Sequence, residues 1–205
     1  MFISLEGIDA CGKSTLIRRL KAVLDAEGEV ICVREPGGTK VSEQIRDMLL
    51  DVRNHGLLPR AEALLYAAAR AQLVDELLLP VLAEGKLVLA DRYLDSTIAY
   101  QGQGRGLDED YLDHINRICT GGLIPDLTLL LDVTPDIAAQ RKRLQGEAAD
   151  RLETEGMAFQ TRVREAYLRL AQAQPQRIAV IDASQDEDAV LATALELIKA
   201  RRGEK

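Results

Sequence analysis

Short apolar runs and longer mixed stretches take turns along this chain. The segments "FISLE" at 2–6, "EVICVR" at 29–34, "KLVLAD" at 86–91, "DLTLLLDV" at 126–133 and "RIAVIDA" at 177–183 are each dominated by apolar residues. A strand with one wet face would alternate apolar and polar side chains. These runs are too continuous for that, so each predicts a strand buried on both faces. Between them the apolar positions return at helical spacing, as from Lys13 to about Ala26. Gly28 and Gly85 stand where helices stop, and Pro125 and Pro175 precede the last two runs. The alternation predicts an α/β chain, with a five-stranded parallel sheet flanked by helices. A long Ala/Leu-rich helix should run from about Arg60 to Glu84, with Pro80 kinking or ending it. No repeat and no Ser- or Pro-rich linker divides the sequence, so residues 1–205 read as a single domain. The least patterned stretch, "QGEAADRLETEG" at 145–156, reads by composition as a solvated loop.

Composition narrows the partners. Aromatic residues make up 3% of the chain and Trp is absent, so aliphatic side chains must build the core. The formal net charge is -7, which disfavours non-specific binding to nucleic acid or an anionic membrane. An anionic substrate would have to be met by local arginines. Cys11, Cys32 and Cys119 are widely spaced, without a CxxC pair or a His at zinc-ligand spacing. They are expected to be reduced thiols in a cytoplasmic protein. The start "MFISLEG" has no basic region of the signal-peptide kind, and apolar stretches such as "LTLLL" at 127–131 are too short to span a bilayer.

The first site is explicit. Gly7-Ile8-Asp9-Ala10-Cys11-Gly12-Lys13-Ser14, followed by Thr15, fits G-x-x-x-x-G-K-[ST] between a strand and a helix. Gly7 and Gly12 allow a turn whose amides face inward as an anion nest. The helix from Lys13 adds unpaired N–H groups and its positive end. Lys13 supplies a mobile cation for the outer phosphates of a nucleoside triphosphate, and the Ser14 hydroxyl is placed for Mg²⁺. A guanine-binding switch would carry N-K-x-D after a later strand, whereas the corresponding ends here read "LDVTPD" and "IDASQD". A kinase for a small acceptor needs a second anion pocket. Strand two ends in "REPGG" (34–38) and strand three in "DRYLDSTIAYQGQGRG" (91–106), each with an arginine where ligands of open α/β sheets bind. Tyr66 and Arg70, four apart in "AEALLYAAARAQ", share one helix face.

REPGG with DRY-x-D-S-x-x-AYQG-x-x-RG resembles the bacterial thymidylate kinases, a family of P-loop nucleoside-monophosphate kinases, along nearly the whole chain. The resemblance implies a three-layer P-loop kinase fold with a short lid at about 141–156. It implies transfer of a phosphoryl group from ATP to dTMP, giving dTDP for dTTP synthesis. By the same resemblance Arg34, Arg46 and Arg92 hold the dTMP phosphate; for Arg46 ordinary ion pairing stands beside that role. Tyr66 would stack on thymine, Arg70 and Gln101 would read its edge, and Ser96 and Thr97 would line the base pocket. Tyr100 would crowd out a 2′-hydroxyl, and the Glu35–Pro36 peptide would be cis, with Pro36 shaping the pocket. Asp9 would lie near the acceptor 3′-hydroxyl and orient the acceptor arginine. Some relatives carry an arginine where this chain has Ala10, so a lid arginine should supply the missing charge. Arg151 is the first choice for it, with Arg143 nearby, and Arg141 would pack beside adenine. "DASQD" at 182–186, including Ser184, would form the other adenine wall. Asp91 would hold Mg²⁺ through water, with Glu35 as an alternative acid, and Cys11 would fill space. Relatives pair through the region of the long helix, which implies a homodimer. Two other readings stay open: a kinase for another small acceptor such as dUMP or a deoxynucleoside, and a nucleotide-binding module without turnover.

Overall fold

The structure is a computed structural model that describes residues 1–145, 151–152 and 155–203. The apolar runs become β1 (Phe2–Glu6), β2 (Val30–Arg34), β3 (Leu87–Asp91), β4 (Leu127–Asp132) and β5 (Ile178–Asp182). They form one parallel sheet in the order β2-β3-β1-β4-β5. Every residue of β1 is buried, as its central place requires, while the edge strands β2 and β5 each keep exposed positions.

The helices are α1 (Lys13–Leu24), α2 (Lys40–Leu50), α3 (Pro59–Leu73), α4 (Leu79–Ala83), α5 (Leu94–Ser96), α6 (Glu109–Thr120), α7 (Pro135–Gln145), α8 (Met157–Ala173) and α9 (Glu187–Arg202). Alternation along β1 separates two cores. Ile3 and Leu5 join Leu16 and Leu20 of α1, whereas Phe2 joins Leu73, Leu78 and Tyr93. Helices therefore cover the sheet on both faces, and the three-layer expectation holds.

Pro80 neither ends nor replaces the long helix. The chain stays helical from α3 through a widened π turn (Val74–Leu78) into α4, and Leu79 N–H donates to Val74 C=O. A proline in a regular helix lacks one N–H and collides with the carbonyl four residues earlier. A wider turn just upstream accommodates both problems. A second π-helical stretch, Thr97–Gly104, continues α5 and carries Tyr100 and Gln101.

Strand register decides where chemistry collects. Arg34 pairs with Asp91, and Asp91 with Leu5, whose other neighbour is Leu129. The carboxyl ends of β2, β3 and β1 are thus level, and the segments that follow them open on the same edge of the sheet.

Candidate active site

β1 ends at Glu6 and turns at once into the phosphate loop. Gly7 sits at φ +140°, and a Cβ there would lie 2.5 Å from the Leu131 carbonyl oxygen, so no other residue fits. Gly12, at φ +108°, starts α1, and no side chain caps that helix. Its first amides remain available to an anion. Lys13 is folded back on the loop, donating to the carbonyls of Gly7 at 3.2 Å and Ile8 at 3.1 Å. Ile8 and Cys11 are buried beneath the loop, with Cys11 Sγ 3.6 Å from the Lys13 ammonium. Ser14 donates its hydroxyl to Asp91 at 3.0 Å, which brings the two expected metal-holding oxygens together.

Arg92 is the hub of the acceptor side. It sits at φ +72°, a left-handed conformation that costs a side-chain-bearing residue on the order of 1–2 kcal/mol. Its guanidinium donates to Asp9 at 2.6 Å, to the Tyr100 hydroxyl at 2.9 Å, to Gly7 C=O at 2.9 Å and to the Tyr167 hydroxyl at 3.1 Å. Asp9 also accepts from Tyr100 at 3.2 Å and from Gln160 of α8 at 3.1 Å. Burial would raise the Asp9 pKa, but Arg92 and Lys13 outweigh it and hold the carboxyl below its usual range. Asp9 is therefore an anion that fixes a cation at the junction of the two pockets.

Glu6 supports this hub from below. Its carboxylate accepts from the Tyr93 amide at 2.7 Å, the Ser96 hydroxyl at 2.6 Å and the Tyr167 hydroxyl at 2.8 Å. Both hydroxyls also accept from the Arg92 guanidinium. Full burial, followed by the nearby Asp95 charge, pushes the Glu6 pKa up to about 7. The folded state thus binds this proton more tightly than the unfolded chain. The contribution to stability is fully present below about pH 4.5, the ordinary value, and is lost as pH rises through about 7. A shift of this size corresponds to about 3 kcal/mol. In denaturant titrations at several pH values, the stability difference between wild type and Glu6→Gln should therefore change against the wild type from pH 4.5 to 7 and then level off. A difference independent of pH would contradict the assignment.

A cavity of about 580 Å³ runs along this edge. At one end it is lined by Gly12, Lys13, Ser14 and Thr15, and at the other by Tyr66, Arg70, Thr97 and Gln101. Asp9, Ala10, Asp91, Arg92, Ser96 and Tyr100 lie on its walls, as do Arg34, Pro36 and Arg46. Every residue expected on the acceptor side thus borders one space. The Glu35–Pro36 peptide is cis. Arg34 pairs with Glu43 at 2.9 Å, and Arg46 donates to Pro36 C=O at 2.9 Å. Arg70 is 2% exposed and pairs with Glu35 at 2.6 Å. It also donates to Thr97 at 2.8 Å, Asn116 at 2.9 Å and Tyr93 C=O at 3.1 Å. Its five N–H groups are all engaged with protein, so in this arrangement Arg70 shapes the pocket floor. Glu35 is correspondingly committed to Arg70.

On the donor side Arg141 bridges the phosphate loop and the segment after β5. It donates to Cys11 C=O at 3.2 Å and to Ala183 C=O at 2.8 Å. Ser184 is exposed in that segment and donates to Asp182 at 2.6 Å.

Arg151 departs from expectation. It is buried, pairs with Glu62 at 2.6 Å and donates to Leu49 C=O at 2.8 Å. It borders a separate pocket with His55, Arg105 and Glu155, and not the cavity that holds Lys13. The physical reason is Glu62, a fully buried carboxylate that requires paired cations. The remainder of the expected lid, 146–150 and 153–154, lies outside the described residues. Sequence reading also missed Glu6, Glu62, Tyr167 and Gln160. Glu62 had a signal: it precedes Tyr66 by four residues and Arg70 by eight, on one helix face. Gln160 had none, since only the fold brings α8 to the phosphate loop.

A strand, a glycine-rich turn and an uncapped helix beside a guanidinium-lined pocket define a P-loop phosphotransferase. A family model described as thymidylate kinase matches residues 5–193. The thymidylate kinase of Prosthecochloris aestuarii is 47% identical over 212 aligned residues, covering 99% of this chain and 95% of that protein. That of Caldanaerobacter subterraneus subsp. tengcongensis is 47% identical over 200 residues, covering 97% and 93%. The crystal structure of thymidylate kinase from Ehrlichia chaffeensis superposes with a TM-score of 0.79 at 32% identity, covering 97% of this chain and 98% of that one. The chain belongs to the thymidylate kinase family.

Proposed function

We propose that this protein transfers the γ-phosphoryl group of ATP to dTMP, forming ADP and dTDP. The observation that carries the reading is the single cavity with Lys13, Ser14 and Thr15 at one end, Tyr66 and Gln101 at the other, and Arg92 between them. The phosphate loop takes the ATP phosphates, and Lys13 turns from its carbonyl partners to meet them. A dTMP phosphate oxygen is already a nucleophile, so no strong general base is required. Arg92, held by Asp9, places the acceptor phosphate and neutralises charge on the migrating group. Tyr100, bonded to Arg92 and Asp9, stands against the sugar and disfavours a 2′-hydroxyl.

Ser14 and Asp91 fit Mg²⁺. They are hard oxygen donors 3.0 Å apart, and among the described residues no group of three or more His, Cys, Asp or Glu forms a closed protein cage. Mg²⁺ commonly takes one or two protein oxygens and completes its shell with water and phosphate. When bound it would neutralise the donor phosphates. Of the arginines flanking the lid, Arg141 is tied to the phosphate loop and Arg151 to Glu62, whereas Arg143 is exposed on α7. Arg143 is thus the lid-flanking arginine exposed to solvent, bonded through Nε to the Ala139 carbonyl of its own helix.

Assays of dTMP, dUMP, dCMP, dGMP and thymidine with ATP test the reading. The largest kcat/KM is expected for dTMP. ATP binding without ADP formation from any acceptor would overturn it.

The same reading includes a cytoplasmic homodimer. No described helix is long and apolar enough to cross a membrane. Uncovered apolar side chains sit on three adjoining helices, with Met48 on α2, Leu64 on α3 and Ile118, 69% exposed, on α6. Light scattering at micromolar concentration should give twice the 22.5 kDa chain mass. A monomer mass would contradict the dimer.

A further inference from the structure

We propose that Glu62 acts as a positioning residue that selects thymine over cytosine by fixing the orientation of the Gln101 amide. The inference rests on the cavity being the thymidylate pocket. Glu62 is 0% exposed and lies in the first turn of α3. Its two oxygens accept from Gln101 Nε2 at 2.9 Å and from Arg105 at 3.3 and 3.2 Å, and the Arg151 guanidinium forms an ion pair with it at 2.6 Å. A carboxylate paired with two guanidinium groups accepts hydrogen bonds and donates none. Gln101 therefore has to face it with its NH₂ group. The flipped amide would set a carbonyl oxygen against a fully buried carboxylate, where the repulsion is little screened.

That constraint fixes what Gln101 offers to a ligand. Gln101 is 2% exposed and borders the cavity. One Nε2 hydrogen is taken by Glu62, and Oε1 accepts from no described residue and is not a fully buried orphan. The oxygen opens onto the cavity as an acceptor. Thr97, four residues earlier on the same π-helical stretch, accepts from Arg70 at 2.8 Å, which leaves its own hydroxyl hydrogen to be donated. The wall thus presents an acceptor beside a donor. Thymine and uracil offer the complement, an N3–H beside a carbonyl. Cytosine offers the reverse, a bare N3 beside an amino group, and would leave Gln101 Oε1 facing a lone pair. Mispaired buried polar groups of this kind discriminate more strongly than a missing methyl group does.

Glu62→Gln removes the constraint, because a glutamine can accept or donate and Gln101 is then free to turn. The test measures kcat/KM for dTMP, dUMP and dCMP, with dCMP read as a competitive inhibitor constant where turnover is too slow. In the variant the dTMP:dCMP ratio is expected to fall about 10- to 100-fold, while the dTMP:dUMP ratio holds, since both bases carry N3–H. Loss of the charge that holds Arg105 and Arg151 would, as a purely structural effect, lower all three together. If both ratios hold, the proposal is overturned. Should Glu62→Gln fail to fold, Glu62→Asp, which keeps a charge for Arg105 and Arg151 but withdraws the oxygen from Gln101 Nε2, decides it by the same measurement. A dTMP:dCMP ratio at least about 10-fold lower than in the unaltered enzyme supports the role, and an unchanged ratio overturns it. If the unaltered chain phosphorylates dTMP but the ratio does not move, only the role of Glu62 falls. If it does not phosphorylate dTMP at all, the proposed function falls and this inference with it.

Discussion

Arg92→Ala should lower kcat/KM for dTMP by about 10³-fold, through weaker dTMP binding as well as slower turnover. A single charge-stabilising contact at a transferring group is commonly worth about 10²–10³-fold in rate. Arg92 exceeds a single contact because its guanidinium also joins the phosphate loop at Gly7 C=O to the acceptor wall at Tyr100. Its loss leaves Asp9 as an unpaired anion beside two incoming anions. Arg151→Ala serves as the contrast. Its guanidinium borders a different pocket, so kcat should stay within a few-fold of wild type while the protein loses about 2–3 kcal/mol of stability. Breaking a buried pair usually costs more, but Glu62 would keep Arg105. Steady-state kinetics with a denaturation curve separates the two variants. A normal dTMP KM in Arg92→Ala, or a collapse of kcat in a fully folded Arg151→Ala, would reverse the assignment.

Gly7→Ala should be the most damaging small substitution in the donor site. The added Cβ would lie 2.5 Å from the Leu131 carbonyl oxygen and 2.8 Å from Cys11 Sγ, at a φ of +140° that alanine avoids. β4 backbone cannot retreat without breaking the sheet, so the loop has to shift instead. Loss of its amide alignment removes the nest that holds the phosphates. ATP affinity, read by calorimetry, should fall about 10²-fold or more. Tight ATP binding in the variant would show that the loop tolerates a geometry different from the one described.

The parts of the molecule that were legible in sequence are those whose physics is local. The apolar runs are strands because nothing else buries five consecutive large side chains between helices. Gly7 to Thr15 is a phosphate loop because the glycines, the lysine and the helix start fall within one short segment. Arg34 and Arg92 could be placed because strand ends in a parallel sheet share an edge. The role of Arg151 was hidden because its partner, Glu62, lies 89 positions earlier, in the first turn of α3. Glu6 read as the last residue of a strand, yet its partners Ser96 and Tyr167 come from elements 90 and 161 positions away. Pro80 read as a breaker because sequence rules assume a regular helix, and the π turn before it lies outside that assumption. Long-range ion pairs and helix irregularities are set by packing, which a linear pattern records only weakly.

A crystal structure with dTMP and a non-hydrolysable ATP analogue bound together tests the two-pocket arrangement most directly. The dTMP phosphate should lie within about 3 Å of the Arg92 guanidinium. Lys13 should have left the carbonyls of Gly7 and Ile8 for the donor phosphates. A dTMP phosphate held elsewhere, with Arg92 still committed to its protein partners Asp9, Tyr100, Tyr167 and Gly7, would contradict it.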